Sequence, residues 1–250
     1  MQRYVTLTRR ELASYFVSLT GYVIMAGALF LMGLSFVILL SKLQADPTPM
    51  PITELFYQTP FFWLILLLSA PLITMRLFAL EKFSGTFETL MTAPVSDLQV
   101  VLAKFSAALI FYLVMWLPLM VCILILRRYT SDPEALDWGT MGGTYFGILL
   151  IGCLYMAMGS FASSLTRSQI IAAMTGLALG ISLFLLSFLA EHLPLERSWT
   201  TDLLNYTAMV DHMQDFSRGV VDTRGVTFYL TGTIFFLFLT HRVVESRRWK

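Results

Sequence analysis

Charge is what this sequence has least of. Only 13% of its 250 residues are Asp, Glu, Lys or Arg, where a soluble domain carries about 25%. The chain is 57% hydrophobic and its mean hydropathy is +0.72. Several uncharged runs reach the roughly 20 residues that a helix needs to cross a bilayer. A soluble globular domain is therefore excluded. The net charge of +1 gives no reason to expect a nucleic-acid partner. Cysteine is scarce too. Cys122 and Cys153 sit inside apolar runs, with no metal-ligand spacing, and read as small core residues. No G-x-x-x-x-G-K-[ST] loop, H-E-x-x-H, G-x-S-x-G or paired-cysteine motif occurs, so no site for ATP, metal or an acyl enzyme is expected here. His192, His212 and His241 lie at or beyond the ends of apolar runs and read as surface histidines. No carboxylate falls in mid-span, where a proton- or ion-coupled carrier usually keeps one. Whatever energy drives this chain is expected to come from elsewhere. The first apolar run follows about 20 mixed residues and has full span length, so no cleaved signal peptide is expected.

What is present is an all-α polytopic membrane protein, read as one unit over residues 1–250. Residues 1–20 are expected to form an amphipathic surface helix, aromatic side down. There Thr8 and Glu11 are spaced as a capping box, with Leu7 and Leu12 as its staple. Spans are expected at 22–40, 61–79, 97–126, 138–166, 168–190 and 225–240, and 241–250 is a basic tail. Pro71 lies inside the second span and tends to kink it. Ser96 with Gln99, and Thr166 with Gln169, are spaced as two further capping boxes. Gly143 with Gly147, and Gly176 with Gly180, have the spacing that lets membrane helices approach closely.

Two polar segments stand out. The first, residues 80–96, is too apolar for an idle loop. Phe83, Phe87, Leu90 and Met91 recur at the spacing of one helical face. Gly85 weakens a helix there by about 1 kcal/mol relative to alanine, so two short pieces are conceivable, and Pro94 stops it. The second, residues 191–224, is the longest loop. Leu203, Tyr206, Val210 and Met213, backed by Met209 and Phe216, mark an apolar face. One or two short helices on, or dipping into, the membrane surface are expected.

An even number of spans puts both ends on one side. That side has eleven Lys and Arg and the other six. Positive residues stay inside, so both termini and the 80–96 segment are expected in the cytoplasm.

The order of a surface helix, six spans and the phrase Glu81-Lys82, Gly85-Thr86, Glu88, Leu90, Pro94-Val95-Ser96 resembles ABC-2 type transporter permeases. Within them it is similar to the gliding-motility type. Gly21-Tyr22, Pro71 with Met75-Arg76, the run Ser160 to Thr166 and the run Phe216 to Asp222 add to the resemblance, which covers essentially the whole chain. Leu80 departs from it, since relatives often carry a second acid there. The resemblance implies a non-catalytic permease subunit of an exporter in a bacterial cytoplasmic (inner) membrane. Two ATPase subunits, which hold ATP and Mg, would drive it. A second permease-type chain would complete it, as a homodimer or as a heteromer with a partner that has a large extracytoplasmic region. Glu81, Lys82, Phe83, Gly85, Thr86, Phe87, Glu88 and Pro94 would then form the ATPase-coupling helix. Leu203, Tyr206, Val210, Met213, Phe216 and Arg218 would belong to outer gate helices. The alternative is an ATP-driven mechanical or assembly component that acts on a periplasmic partner without moving solute.

Overall fold

A computed structural model describes residues 2–45, 56–57, 59–88, 95–129, 138–192 and 206–246. Among the described residues helices joined by short turns are the secondary structure, with no strand. The helices are α1 (Gln2–Val17), α2 (Leu19–Ala45), α3 (Pro60–Thr74), α4 (Ala79–Ser84), α5 (Asp97–Tyr129), α6 (Trp138–Leu165), α7 (Gln169–His192), α8 (Met209–Ser217) and α9 (Thr223–Ser246). Six of them, α2, α3, α5, α6, α7 and α9, are long and apolar enough to cross a membrane. The chain is a multi-pass membrane protein.

The bundle is built around α6. Of its apolar window 78% is buried inside the chain, against 17% for α9 and 22% for α7. It touches α3, α4, α5, α7, α8 and α9. Small residues permit this: without side chains in the way, neighbouring backbones and rings come close. Leu154 lies against Gly232, and the Phe161 and Phe236 rings sit 6.0 Å apart, so α6 and α9 run parallel. Gly176 brings α7 to within van der Waals reach of Ala162 and Gly159 on α6 and of Pro71 on α3. The Gly143–Gly147 pair serves a different neighbour. It seats the short helix α8, whose Phe216 and Met213 side chains stand 3.0 and 3.1 Å from where a β-carbon at 147 would be.

The capping signals fared unevenly. Ser96 and Gln99 form a reciprocal box, Ser96 N–H to Gln99 Oε1 and Gln99 N–H to Ser96 Oγ, both at 3.4 Å. Thr8 does not cap. It lies inside α1 and its hydroxyl donates to the Tyr4 carbonyl, because the helix already begins at Gln2. Leu7 and Leu12 still pack on the core from that helix. The break that sequence reading passed over is at Ser18. Its Oγ accepts from Gly21 N–H at 3.1 Å and starts α2. Thr166 accepts from Ser168 N–H, but the first backbone bond of α7 ends on the Ser168 carbonyl, so Ser168 is the cap. The second long helix stops at Thr74 instead of running to 79, and a turn at 75–78 leads into α4.

Two expectations about position also change. Helix α1 does not turn its aromatic side to lipid. Tyr15 stacks on Phe111 of α5 at 4.9 Å, Phe16 meets the same ring edge-on, and Tyr4 Oη bonds Ser106 Oγ at 2.7 Å. The 33 residues of α5 extend about 50 Å, longer than a hydrocarbon core of about 30 Å. Its first turns overhang and offer α1 a surface. In the expected loop before α3, Phe56 and Tyr57 are buried and join Phe62, Trp63 and Trp116 in an aromatic cluster.

A β-carbon at Gly143 would overlap the Phe216 carbonyl oxygen, whereas one at Gly142 meets nothing within 4 Å. Gly143→Val is expected to lower stability by about 1–3 kcal/mol and to raise hydrogen exchange across 209–217. Gly142→Val, measured beside it, leaves both unchanged.

Candidate functional site

The segment after α3 is anchored by groups that α6 supplies. A helix begins with N–H groups that have no partner within the helix. At α4 none is capped by its own Phe78. Instead Ser163 Oγ accepts from Phe78 N–H at 3.1 Å and from Ala79 N–H at 3.2 Å. The same hydroxyl donates to the Met75 carbonyl. Lys82 closes the other half of the junction. It is buried, donates to the Ser164 carbonyl at the end of α6, and lies 5.3 Å from the centre of the Phe87 ring. A cation at a helix C-terminus satisfies both an unbonded carbonyl and the helix dipole.

Glu81 makes the link to α1 and α5. Its Oε1 lies 2.8 Å from Lys104 Nζ and 3.3 Å from Arg10. Lys104 Nζ also reaches Glu11 Oε2 at 3.2 Å, and Arg10 meets Glu11 Oε1 at 2.7 Å. Lys104 is 2% exposed, so its charge is stable there only with these carboxylates around it. The Glu11 hydrogen bond raises the Arg10 guanidinium above its ordinary value against the effect of burial, and Glu81 adds to it. Tyr15 beneath the cluster is held neutral by burial and donates to the Ile73 carbonyl at 2.9 Å. A cavity of about 670 Å³ opens over this group, lined by Arg10, Glu11, Tyr15, Arg76, Glu81 and Lys104 among others.

The residues singled out from the sequence are thus divided. Glu81, Lys82 and Phe87 turn inward. Phe83 is 77% exposed, and Gly85, Thr86 and Glu88 are exposed with it. The single face expected for Phe83 and Phe87 does not form. Gly85 adopts a left-handed conformation with φ +75°, ends α4 and reorients the turn that carries Phe87. Leu90, Met91 and Pro94 lie outside the described residues. Sequence reading used Lys104 only as a positive charge for orientation and Glu11 only as a cap. The signal available was a lysine directly before an uncharged run of 22 residues.

At the opposite end α8 buries Met209, His212, Met213 and Phe216. The apolar stripe therefore runs through 209, 212, 213 and 216. Val210 is half-buried and its N–H donates to Ser187 Oγ at 3.2 Å. Tyr206 is partly exposed and meets Phe228 edge-on. Arg218 follows the helix and is exposed. Leu203 lies outside the described residues. His212, missed as a core residue, packs on Phe228, Tyr229 and Gly225. Burial lowers its proton affinity, opposed by Asp211, Asp222 and Asp215.

Residues 39–194 match the family described as ABC-2 family transporter protein. The chain belongs to that family. The match covers α3 to α7 with the end of α2, and so includes the whole segment that Ser163, Lys82 and Glu81 hold. This ABC-2 protein is a transmembrane component of transport, and its family implies association with ABC ATPase partners. Compared with curated proteins, the chain has no match.

Removing Lys104 leaves Glu11 and Glu81 with Arg10, itself more than half exposed, as the one cation of the cluster that still pairs them. Lys104→Gln is expected to cost about 3–5 kcal/mol in thermal unfolding. Glu11→Gln and Glu81→Gln added to that variant restore much of the loss. A histidine that titrates lower in the fold than its free value near 6.5 stabilises the fold fully above that pH. The contribution falls as pH drops from 6.5 towards the lower value, because the unfolded form takes up the proton first. Melting temperature is expected to fall from about pH 8 to about pH 5 by less in His212→Gln than in the parent.

Proposed function

We propose that this chain is the permease subunit of an export-type ABC transporter in a bacterial cytoplasmic membrane, energised by a separate ATPase through residues 80–96. The exposed Phe83 on a segment otherwise bound to the bundle is the observation that carries this reading. An aromatic side chain left in water beside buried ion pairs is a docking residue in the usual interface pattern. Its inner neighbours Glu81 and Lys82 reach α1, α5 and α6 directly. A push on Phe83 and Glu88 is thereby passed to three elements at once.

The excess of Lys and Arg at this end of the bundle supports a cytoplasmic location for it and for both termini. ATP and Mg are held by two ATPase subunits, not by this chain. Tyr206, Val210, Met213, Phe216 and Arg218, with Leu203, form the outer gate on α8 and its approach. The phrases at 81–96, 160–166 and 216–222 are what supports the gliding-motility type within the family. A second permease chain, identical or carrying a large extracytoplasmic region, completes the translocation unit.

Co-expressed with its ATPase, the Phe83→Ala variant is expected to insert and melt like the parent. Its stimulated ATP hydrolysis and its ATPase co-purification fall by about tenfold, the loss expected of an aromatic anchor at about 1–2 kcal/mol. Unchanged hydrolysis in Phe83→Ala together with Glu88→Gln would overturn the docking role. ATP turnover without solute flux in vesicles would redirect the reading to a mechanical component.

A further inference from the structure

The walls of the cavity between α1, the end of α3 and the start of α5 carry three cations, Arg10, Arg76 and Lys104, against two carboxylates, Glu11 and Glu81. The pairing among them is uneven. Lys104 meets both carboxylates, and so does Arg10. Arg76 meets neither. It is half-buried, and among the described residues its side chain bonds the Thr20 hydroxyl alone. A guanidinium has five N–H donors in a planar fork, so most of those on Arg76 have no acceptor among the described residues. A half-buried cation without a counter-ion is costly, and an anion is what completes it.

The accessible charge has the same sign. The side chains of Glu11 and Glu81 are 13% and 16% exposed and that of Lys104 2%, whereas Arg10 is 56% exposed. Both carboxylates are taken up by Lys104 and Arg10, and Glu81 Oε2 has no accessible surface. A cation entering the cavity therefore meets like charge, and an anion meets Arg76 and Arg10. The rest of the lining decides what the anion is attached to. Tyr15, Leu77 and Leu80 give an apolar wall, and the exposed Ser14 and Thr86 give hydroxyls beside it. The volume of about 670 Å³ is that of a small-molecule site, which runs from about 300 to about 1,000 Å³. A bare inorganic anion leaves most of it unfilled. A mainly apolar lining with a few placed charges is the usual make-up of such a site.

We infer that this cavity binds a small organic anion, a phosphate or carboxylate group carried on an apolar body. Two anionic oxygens accept from the Arg76 fork side by side, the match that a guanidinium offers to either group. Arg10, on the α1 wall, adds a second positive charge. The apolar body lies against Tyr15, Leu77 and Leu80. Bound in this way, the ligand links the turn at 75–78 to α1. The site goes beyond the transport reading and does not depend on it, since binding of the anion requires neither ATP nor a partner subunit.

The test is calorimetric titration of the full chain in an uncharged maltoside detergent. The probes are phenyl phosphate, inorganic phosphate as the anion alone, and benzyl alcohol as the ring alone. Phenyl phosphate is expected to bind about tenfold tighter than either, since each lacks one of the two contacts. Arg76→Gln is expected to weaken phenyl phosphate by about tenfold at unchanged ligand-free melting temperature. Arg9→Gln, which removes an exposed arginine of α1 outside the cavity, leaves the affinity as it is. Unaltered binding in Arg76→Gln overturns the proposal, as does an equal loss in Arg9→Gln. Benzyl alcohol binding as tightly as phenyl phosphate overturns it in favour of an apolar cleft, and inorganic phosphate binding as tightly overturns it in favour of a bare-anion site. Dihexanoyl phosphatidic acid, titrated alongside, separates the sources of the anion. If it binds tighter than phenyl phosphate and is weakened by Arg76→Gln, the proposal stands with a lipid as ligand. If it binds more weakly, the proposal stands with a soluble one. Phenyl phosphate that binds the chain alone but not its complex with the ATPase overturns the proposal and gives the cavity to an acidic side chain of the partner.

Discussion

Lys104 cannot be buried alone. It sits at 2% exposure directly before a 22-residue uncharged run, where an unpaired ammonium would be shed or pulled to water. Its stability there depends on Glu11 from α1 and Glu81 from α4 arriving together. Most of what gives this end of the molecule its shape follows from that requirement. It holds α1 along α5 instead of leaving it free on the membrane. It fixes the orientation of α4, so that Lys82 reaches the end of α6 and Phe83 points away. It also draws Arg10 in beside the two carboxylates.

The opposite end is organised by space and not by charge. Gly143 and Gly147 remove side chains from one strip of α6, and the Phe216 backbone and the Met213 side chain fill it. Since α6 also meets the 75–82 segment through Ser163 and Ser164, one helix carries both that segment and α8. The two ends share a rigid member about 40 Å long, at 1.5 Å per residue. A displacement applied at one end is then felt at the other without any intermediate relay.

Much of the fold could be read directly from the sequence. Six apolar runs became six long helices because each run is long enough to satisfy its own backbone bonds in lipid. Ser96 and Gln99 were legible because a capping box is a local event, complete within four residues. Thr8 and Glu11 share that spacing, yet Glu11 is engaged by Lys104, a residue 93 positions further on. Local pattern cannot weigh such a partner. The same limit applies to Phe83 and Phe87. Their spacing marks one face only while the helix continues, and Gly85 ended it in a conformation that spacing does not encode. His212 looked like a surface residue because it lies beyond the end of an apolar run. Phe228 and Gly225, which bury it, lie on another helix.

The order of residues around Lys104 bears on how the protein is made. Glu11 and Glu81 both precede it in the chain. By the time residue 104 leaves the ribosome, α1 and α4 have already been synthesised, each with its carboxylate. The cation therefore never has to enter the membrane interface ahead of its counter-ions. A chain with the same contacts but with the carboxylates encoded downstream would fold to the same structure on paper. During synthesis it would have to hold a bare ammonium at the bilayer edge.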